Sequence, residues 1–197
     1  MSSIQPATKS RLNSAFKELM TMHWIMAACY LILFTTGKLM VELPREVFIR
    51  NPMYDFHKSI GTLVMGLLTW RILILLRVWW RKYTKRPPKF TRQWFQTFTL
   101  HTSLYIFMWV VPVTGFFLSN SFRSNNVKFF GVLLPDIFPQ NSALVDLGRS
   151  LHFWFAYTFL AFIFLHTLAQ WKVVKANWRR FSGFVKSRYK QPKSKLK

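Results

Sequence analysis

The sequence predicts an all-α, integral membrane fold: a four-helix bundle with both termini cytoplasmic. Three observations carry this prediction: four long apolar stretches, basic residues segregated into alternate connections, and histidines confined to the apolar stretches or their ends. With 51% hydrophobic and 18% aromatic residues, 197 residues could equally enclose a soluble core, so composition alone does not decide. The apolar runs do. Each is about 20 residues long, the length a helix needs to cross roughly 30 Å of hydrocarbon at 1.5 Å per residue.

The first stretch, Leu19 to Met40, follows a basic N-terminus as a secretory signal would. It is too long for one, contains His23 and lacks a small-residue cleavage site before Lys38, so it reads as a retained helix. The second runs from Ile60 to Trp80 and the third from Phe95 to Leu118, where Pro112 followed by Gly115 is expected to bend it. The stretch from Phe129 to Pro135 is too short to span and is expected to lie at the interface, capping a ligand entrance or closing the bundle. The fourth runs from Leu151 to Val173. Residues 1–185 form the membrane domain; residues 186–197 are a basic tail with too little apolar content to fold alone. That tail reads as a topology signal, as a site of attraction to anionic headgroups, or as a dock for an acidic protein partner.

A formal charge of +22 invites a nucleic-acid reading, which its placement opposes. Lys9, Arg11 and Lys17 precede the first helix, Arg81, Lys82, Lys85, Arg86, Lys89 and Arg92 join the second to the third, and Lys172 to Lys197 follow the fourth. All acids except Glu18 fall in the other two connections, from Glu42 to Asp55 and from Ser119 to Arg149. By the positive-inside rule the basic regions face the cytoplasm and the acid-bearing loops face outward. Cys29 is the sole cysteine, which excludes an internal disulfide, a paired-thiolate metal site and a CxxCH haem attachment.

An ionisable residue inside a membrane is costly unless it finds a partner or a metal, so five histidines in or at the ends of spans demand an explanation. His23 and His166 lie at similar depths near the inner side, on helices that run in opposite directions; His57 and His152 match near the outer side. His152 and His166 are fourteen positions apart, nearly four turns, and so share a face with a rise of about 21 Å between them. Two pairs at two levels fit two haems, each with bis-imidazole ligation, which suits electron transfer rather than oxygen chemistry. His101 falls at the inner level: it could replace His23 as ligand, bond to a haem propionate or quinone, or be a packed histidine. Gly61, one turn after His57, makes room either for a porphyrin or for a close helix, as does Gly66 further along. Arg71, fourteen positions after His57, either pairs with a propionate or snorkels to the interface, as Arg77 is expected to.

His23-Trp24, His57-x3-Gly61, Trp70-Arg71, His101 with Pro112-Val113-Thr114-Gly115, the Phe130-Gly131 to Pro135 segment, and His152 with His166 occur in the order and spacing of a known family. Over most of its length the chain resembles the bacterial di-haem cytochrome b561 family of quinone-linked, four-helix electron carriers. The resemblance implies two haem b groups, one on His23 and His166 and the other on His57 and His152. It also implies exchange with the quinone pool, in a bacterial inner (plasma) or thylakoid membrane. It departs at Phe153, where an acidic residue is common, so no carboxylate stands there for outer-side proton chemistry.

Two functions from different classes follow. One is a quinone-linked oxidoreductase carrying electrons between the two levels, with Lys38, Arg45, Arg50, Arg123, Lys128 and Arg149 attracting small anionic reductants such as superoxide. The other is a membrane-anchoring cytochrome b subunit of a larger complex, without turnover of its own. A transporter is disfavoured, because the spans carry no acidic pathway and no inverted pair of broken helices.

Overall fold

A computed structural model describes residues 5–83 and 91–189. Five α-helices account for most of them: α1 (Gln5–Glu42), α2 (Arg50–Tyr83), α3 (Arg92–Phe122), α4 (Val145–Ala169) and α5 (Trp171–Tyr189). The first four are long and apolar enough to cross a membrane, as expected. The helices outrun the apolar stretches that announced them. Residues 5–18 and 50–59 are polar but contain proline only at Pro6 and Pro52, in a first helical turn where no intrahelical N–H bond is lost. Thr91 caps α3, its hydroxyl accepting from the Trp94 N–H at 3.1 Å. A short 3-10 turn, Ser142–Leu144, leads into α4.

The fourth span differs from expectation at both ends, starting at Val145 and stopping at Ala169. Gln170, at φ −103° and ψ 19°, leaves helical geometry, and the chain resumes as α5. The expected domain boundary at 185–186 thus falls inside α5. The rest of the tail, residues 190–197, and Lys85, Arg86 and Lys89 of the inner connection lie outside the described residues.

The outer connection is built, not merely interfacial. Strands β1 (Lys128–Phe129) and β2 (Val132–Leu133) form an antiparallel hairpin whose two turn residues, Phe130 and Gly131, have φ of 45° and 94°, the left-handed pair that a tight hairpin needs. Buried Ser59 of α2 holds it: its hydroxyl lies 3.0 Å from the Lys128 carbonyl and accepts from the Phe130 N–H at 3.0 Å. Asn120, fully buried at the end of α3, donates to Asp136 at 2.6 Å and accepts from the Ile137 and Phe138 N–H groups at 3.1 and 3.3 Å.

The helices pair as two antiparallel hairpins, α1 with α2 and α3 with α4. At Gly148 the second pair is so close that an added Cβ would stand 3.0 Å from the Leu118 Cα. The hairpins meet where α2 packs on α3, whereas among the described residues no Cα of α4 comes within 8 Å of one in α1 or α2. Apolar side chains such as Leu31, Leu73, Trp80 and Phe164 are exposed on the outside, where lipid is their solvent. Ser59, Thr114, Asn120 and Ser121 are the buried polar residues among those described.

Candidate haem sites

Each spanning helix repeats a spacing of seven. His23, Tyr30 and Gly37 lie on α1; His57, Val64 and Arg71 on α2; His101, Met108 and Gly115 on α3; His152, Phe159 and His166 on α4. Seven residues are nearly two turns, so each set shares a face, and the alternating helix directions assemble them into three layers. Gly37, His57, Gly115 and His152 form the outer layer. Tyr30, Val64 and Phe159 meet in the buried core, with Met108 packed against them, and the Tyr30 and Phe159 rings touch edge to face at 4.9 Å. His23, Arg71, His101 and His166 form the inner layer.

Both expected histidine pairs bridge the two hairpins. The ring centres of His57 and His152 are 6.4 Å apart, and those of His23 and His166 are 6.2 Å apart. An imidazole nitrogen lies about 2 Å from a first-row metal, and its own ring centre about 1 Å further back, so two imidazoles facing one iron hold their centres roughly 6 Å apart. His101 is also close to His166, but at 5.1 Å, edge to face, about 1 Å too near for a metal between them. Its Nδ1 lies 2.7 Å from the Thr97 carbonyl of its own helix.

The outer pair is held in place by two matching cradles. Thr36 gives its hydroxyl proton to the Ile32 carbonyl at 2.8 Å, so its oxygen is an acceptor for the His57 Nδ1–H at 3.0 Å. The Val111 carbonyl accepts from the His152 Nδ1–H at 3.0 Å, with the Thr114 hydroxyl 3.4 Å away. Both bonds consume Nδ1 and leave the Nε2 lone pair free, the arrangement that orients a metal-binding imidazole. Beside each threonine stands a glycine: an added Cβ would lie 3.3 Å from the His57 Cε1 at Gly37 and 3.1 Å from the His152 Cε1 at Gly115. Among the described residues the buried Nδ1 of His166 in the inner pair has no hydrogen-bond partner, and the His101 ring centre lies 5.1 Å from that of His166.

A sequence profile of prokaryotic cytochrome b561 matches residues 18–180, which include every histidine of both layers. The chain belongs to that family. It is also 25% identical, over 151 residues, to cytochrome b561 homolog 2 of Escherichia coli (strain K12), a match covering 73% of this chain and 76% of that protein. As a prokaryotic cytochrome b561 it is a multi-pass membrane protein that binds haem b and serves transmembrane electron transfer.

The remaining expected residues of this cytochrome b561 fall as follows. Arg71 is half-buried, its Nε donates to the Tyr105 hydroxyl at 2.9 Å, and its guanidinium lies over the Tyr105 ring at 5.9 Å. Arg77 is exposed. No atom lies within 4 Å of a Cβ built on Gly61 or Gly66, so neither glycine serves close helix contact. Gly61 is half-buried one turn from His57 and leaves open space where a side chain would stand. Among the described residues no three His, Cys, Asp or Glu side chains cluster to hold a bare metal ion; each histidine pair instead brings two imidazoles together, the donor chemistry that a haem iron would take. Of the outer cations, Lys38 pairs with Glu42 at 2.7 Å, Arg149 with Asp146 at 2.6 Å and Lys128 with Asp55 at 3.8 Å, which weakens the attracting field expected of them.

Sequence reasoning missed Thr36, Gly37 and Tyr105. A signal existed for the first two, because the dipeptide Thr-Gly occurs at 36–37 and again at 114–115, near the outer ends of α1 and α3.

Proposed function

We propose that the chain carries electrons across the bilayer through two haems b and exchanges them with the quinone pool. His57 and His152 hold the outer haem, and His23 and His166 the inner one. The observation that carries this reading is the pair of ring separations, 6.4 and 6.2 Å, between helices whose Cα atoms come no closer than 8 Å among the described residues. The two levels are about 21 Å apart along α4, with the Tyr30 and Phe159 rings between them. Haem iron with two imidazole ligands supplies one-electron chemistry with no open position.

The protein supplies orientation and charge. The Thr36 and Val111 acceptors fix the outer ring tautomers, and Gly37 and Gly115 let those rings sit close to the backbone. Arg71, steadied by Tyr105, places one positive charge in the inner layer, where it would balance a propionate. The positive-inside rule puts the inner layer on the cytoplasmic side of a bacterial inner or thylakoid membrane. Mixing the purified holoprotein with a quinol and, separately, with superoxide in a stopped-flow spectrometer tests the reading. Reduction of the haems by quinol, or transfer from prereduced haem to quinone, is the expected result. Haems that are reducible by dithionite but inert towards every quinol and quinone would refute the quinone link and favour the anchoring subunit.

A further inference from the structure

We propose that α5 is a membrane-docking element that lies along the cytoplasmic leaflet and binds anionic phospholipid headgroups. Helix α4 has 25 residues and so is about 37 Å long, already more than the hydrocarbon layer requires. Ala169 therefore brings the chain to the inner boundary, and the break at Gln170 lets it change direction there. The following 19 residues contain Lys172, Lys175, Arg179, Arg180, Lys186 and Arg188 and no acid, so α5 cannot continue into hydrocarbon.

Its residues are sorted for a surface. Trp171, Val174 and Trp178 recur at spacings of three and four on one face, and in the sequence Phe181 and Val185 continue that row. Lys172, Lys175 and Arg179 recur at the same spacings on a neighbouring face, and all three are exposed. Trp171 and Trp178 are 57% and 69% exposed, and α5 packs on no element except the end of α4 among the described residues. An apolar row with two tryptophans beside a basic row fits an anionic bilayer surface, whose acyl boundary and phosphates lie at adjacent depths. Because α4 anchors α5 at that surface, this lipid is the partner it meets first. Docking would also hold the inner end of α4, and with it His166, at a fixed depth.

Site-directed spin labelling of the full-length holoprotein in vesicles tests this. Single nitroxides are placed, in a Cys29→Ala background, at Val174→Cys and Trp178→Cys on the apolar row and at Lys175→Cys and Arg179→Cys on the basic row. The vesicles are phosphatidylcholine with and without about a third phosphatidylglycerol, an anionic content sufficient to create a surface potential. Expected with phosphatidylglycerol is oxygen access without nickel-chelate access at 174 and 178, and the reverse at 175 and 179. That contrast should fall several-fold in phosphatidylcholine alone and in a Lys172→Glu, Arg180→Glu, Lys186→Glu background. Water-like access on both rows in anionic vesicles would overturn the proposal. So would exclusion of both reagents from the apolar row, which marks a protein contact, or an equal contrast in phosphatidylcholine, which removes the headgroup role.

Discussion

Gly115 is the position where one methyl group should be felt at the outer haem. A Cβ there would stand 3.1 Å from the His152 Cε1 and 3.4 Å from its Nδ1. Comfortable carbon contacts begin near 3.5 Å, so Gly115→Ala must push the ring back by about half an ångström. The ring is tied to α3 by its 3.0 Å bond to the Val111 carbonyl, and such a retreat stretches that bond to about 3.5 Å, where little of it remains. Loss of a bond of this kind costs about 1 kcal/mol. That corresponds to roughly fivefold weaker outer-haem binding, since about 1.4 kcal/mol is tenfold. Gly115→Val, which adds two further methyls, should displace His152 and release one haem per chain. Gly66→Ala, exposed and with no atom within 4 Å of its Cβ, is the control and should change nothing. Haem titration of the apoprotein gives the affinities, and electron paramagnetic resonance shows which of two low-spin ferric signals is altered. A Gly115→Val protein with full haem content and unaltered signals would refute the reasoning.

Other expected outcomes follow from the same geometry. His23→Ala and His166→Ala should each lose the inner haem and keep the outer, whereas His101→Ala should keep both; a haem lost with His101 would mean that it, and not His23, is the ligand. Arg71→Leu removes a positive charge that favours the reduced state, so redox potentiometry should find the inner-haem midpoint lowered by on the order of tens of millivolts, with the outer midpoint unmoved. A midpoint that rises would contradict the placement of that charge. Asn120→Ala strips Asp136 of a donor and two backbone N–H groups of their acceptor, at about 3 kcal/mol. The variant should melt at a lower temperature in detergent, and an unchanged melting point would show that the outer loop does not depend on this side chain.

The sequence made the architecture legible because membrane burial writes a long signal. Runs such as Ile60 to Trp80 must be apolar over most of their length, and cations such as Arg81 and Lys172 must stay inside. The ends of the helices were less legible, since hydropathy records where hydrocarbon stops and not where hydrogen bonding stops. Residues 5–18 and 50–59 remain helical although their sequence is polar. The break at Gln170 carries no Gly or Pro to announce it, and the Phe130 φ of 45° is not one that an aromatic residue advertises. Histidine depths were readable by counting turns, and the counts brought the expected pairs together. The surroundings of Arg71 and Gly61 were not, because spacing alone does not tell whether a hydroxyl such as that of Tyr105 stands beside the arginine. The Thr-Gly cradles could have been found as a repeat, but their meaning required knowing which histidine each faces.

If two histidine pairs hold two haems, a pyridine haemochrome assay on detergent-purified protein, with the polypeptide quantified independently, will find two b-type haems per chain. A single haem in well-folded protein would contradict the assignment of one pair, and none would contradict both.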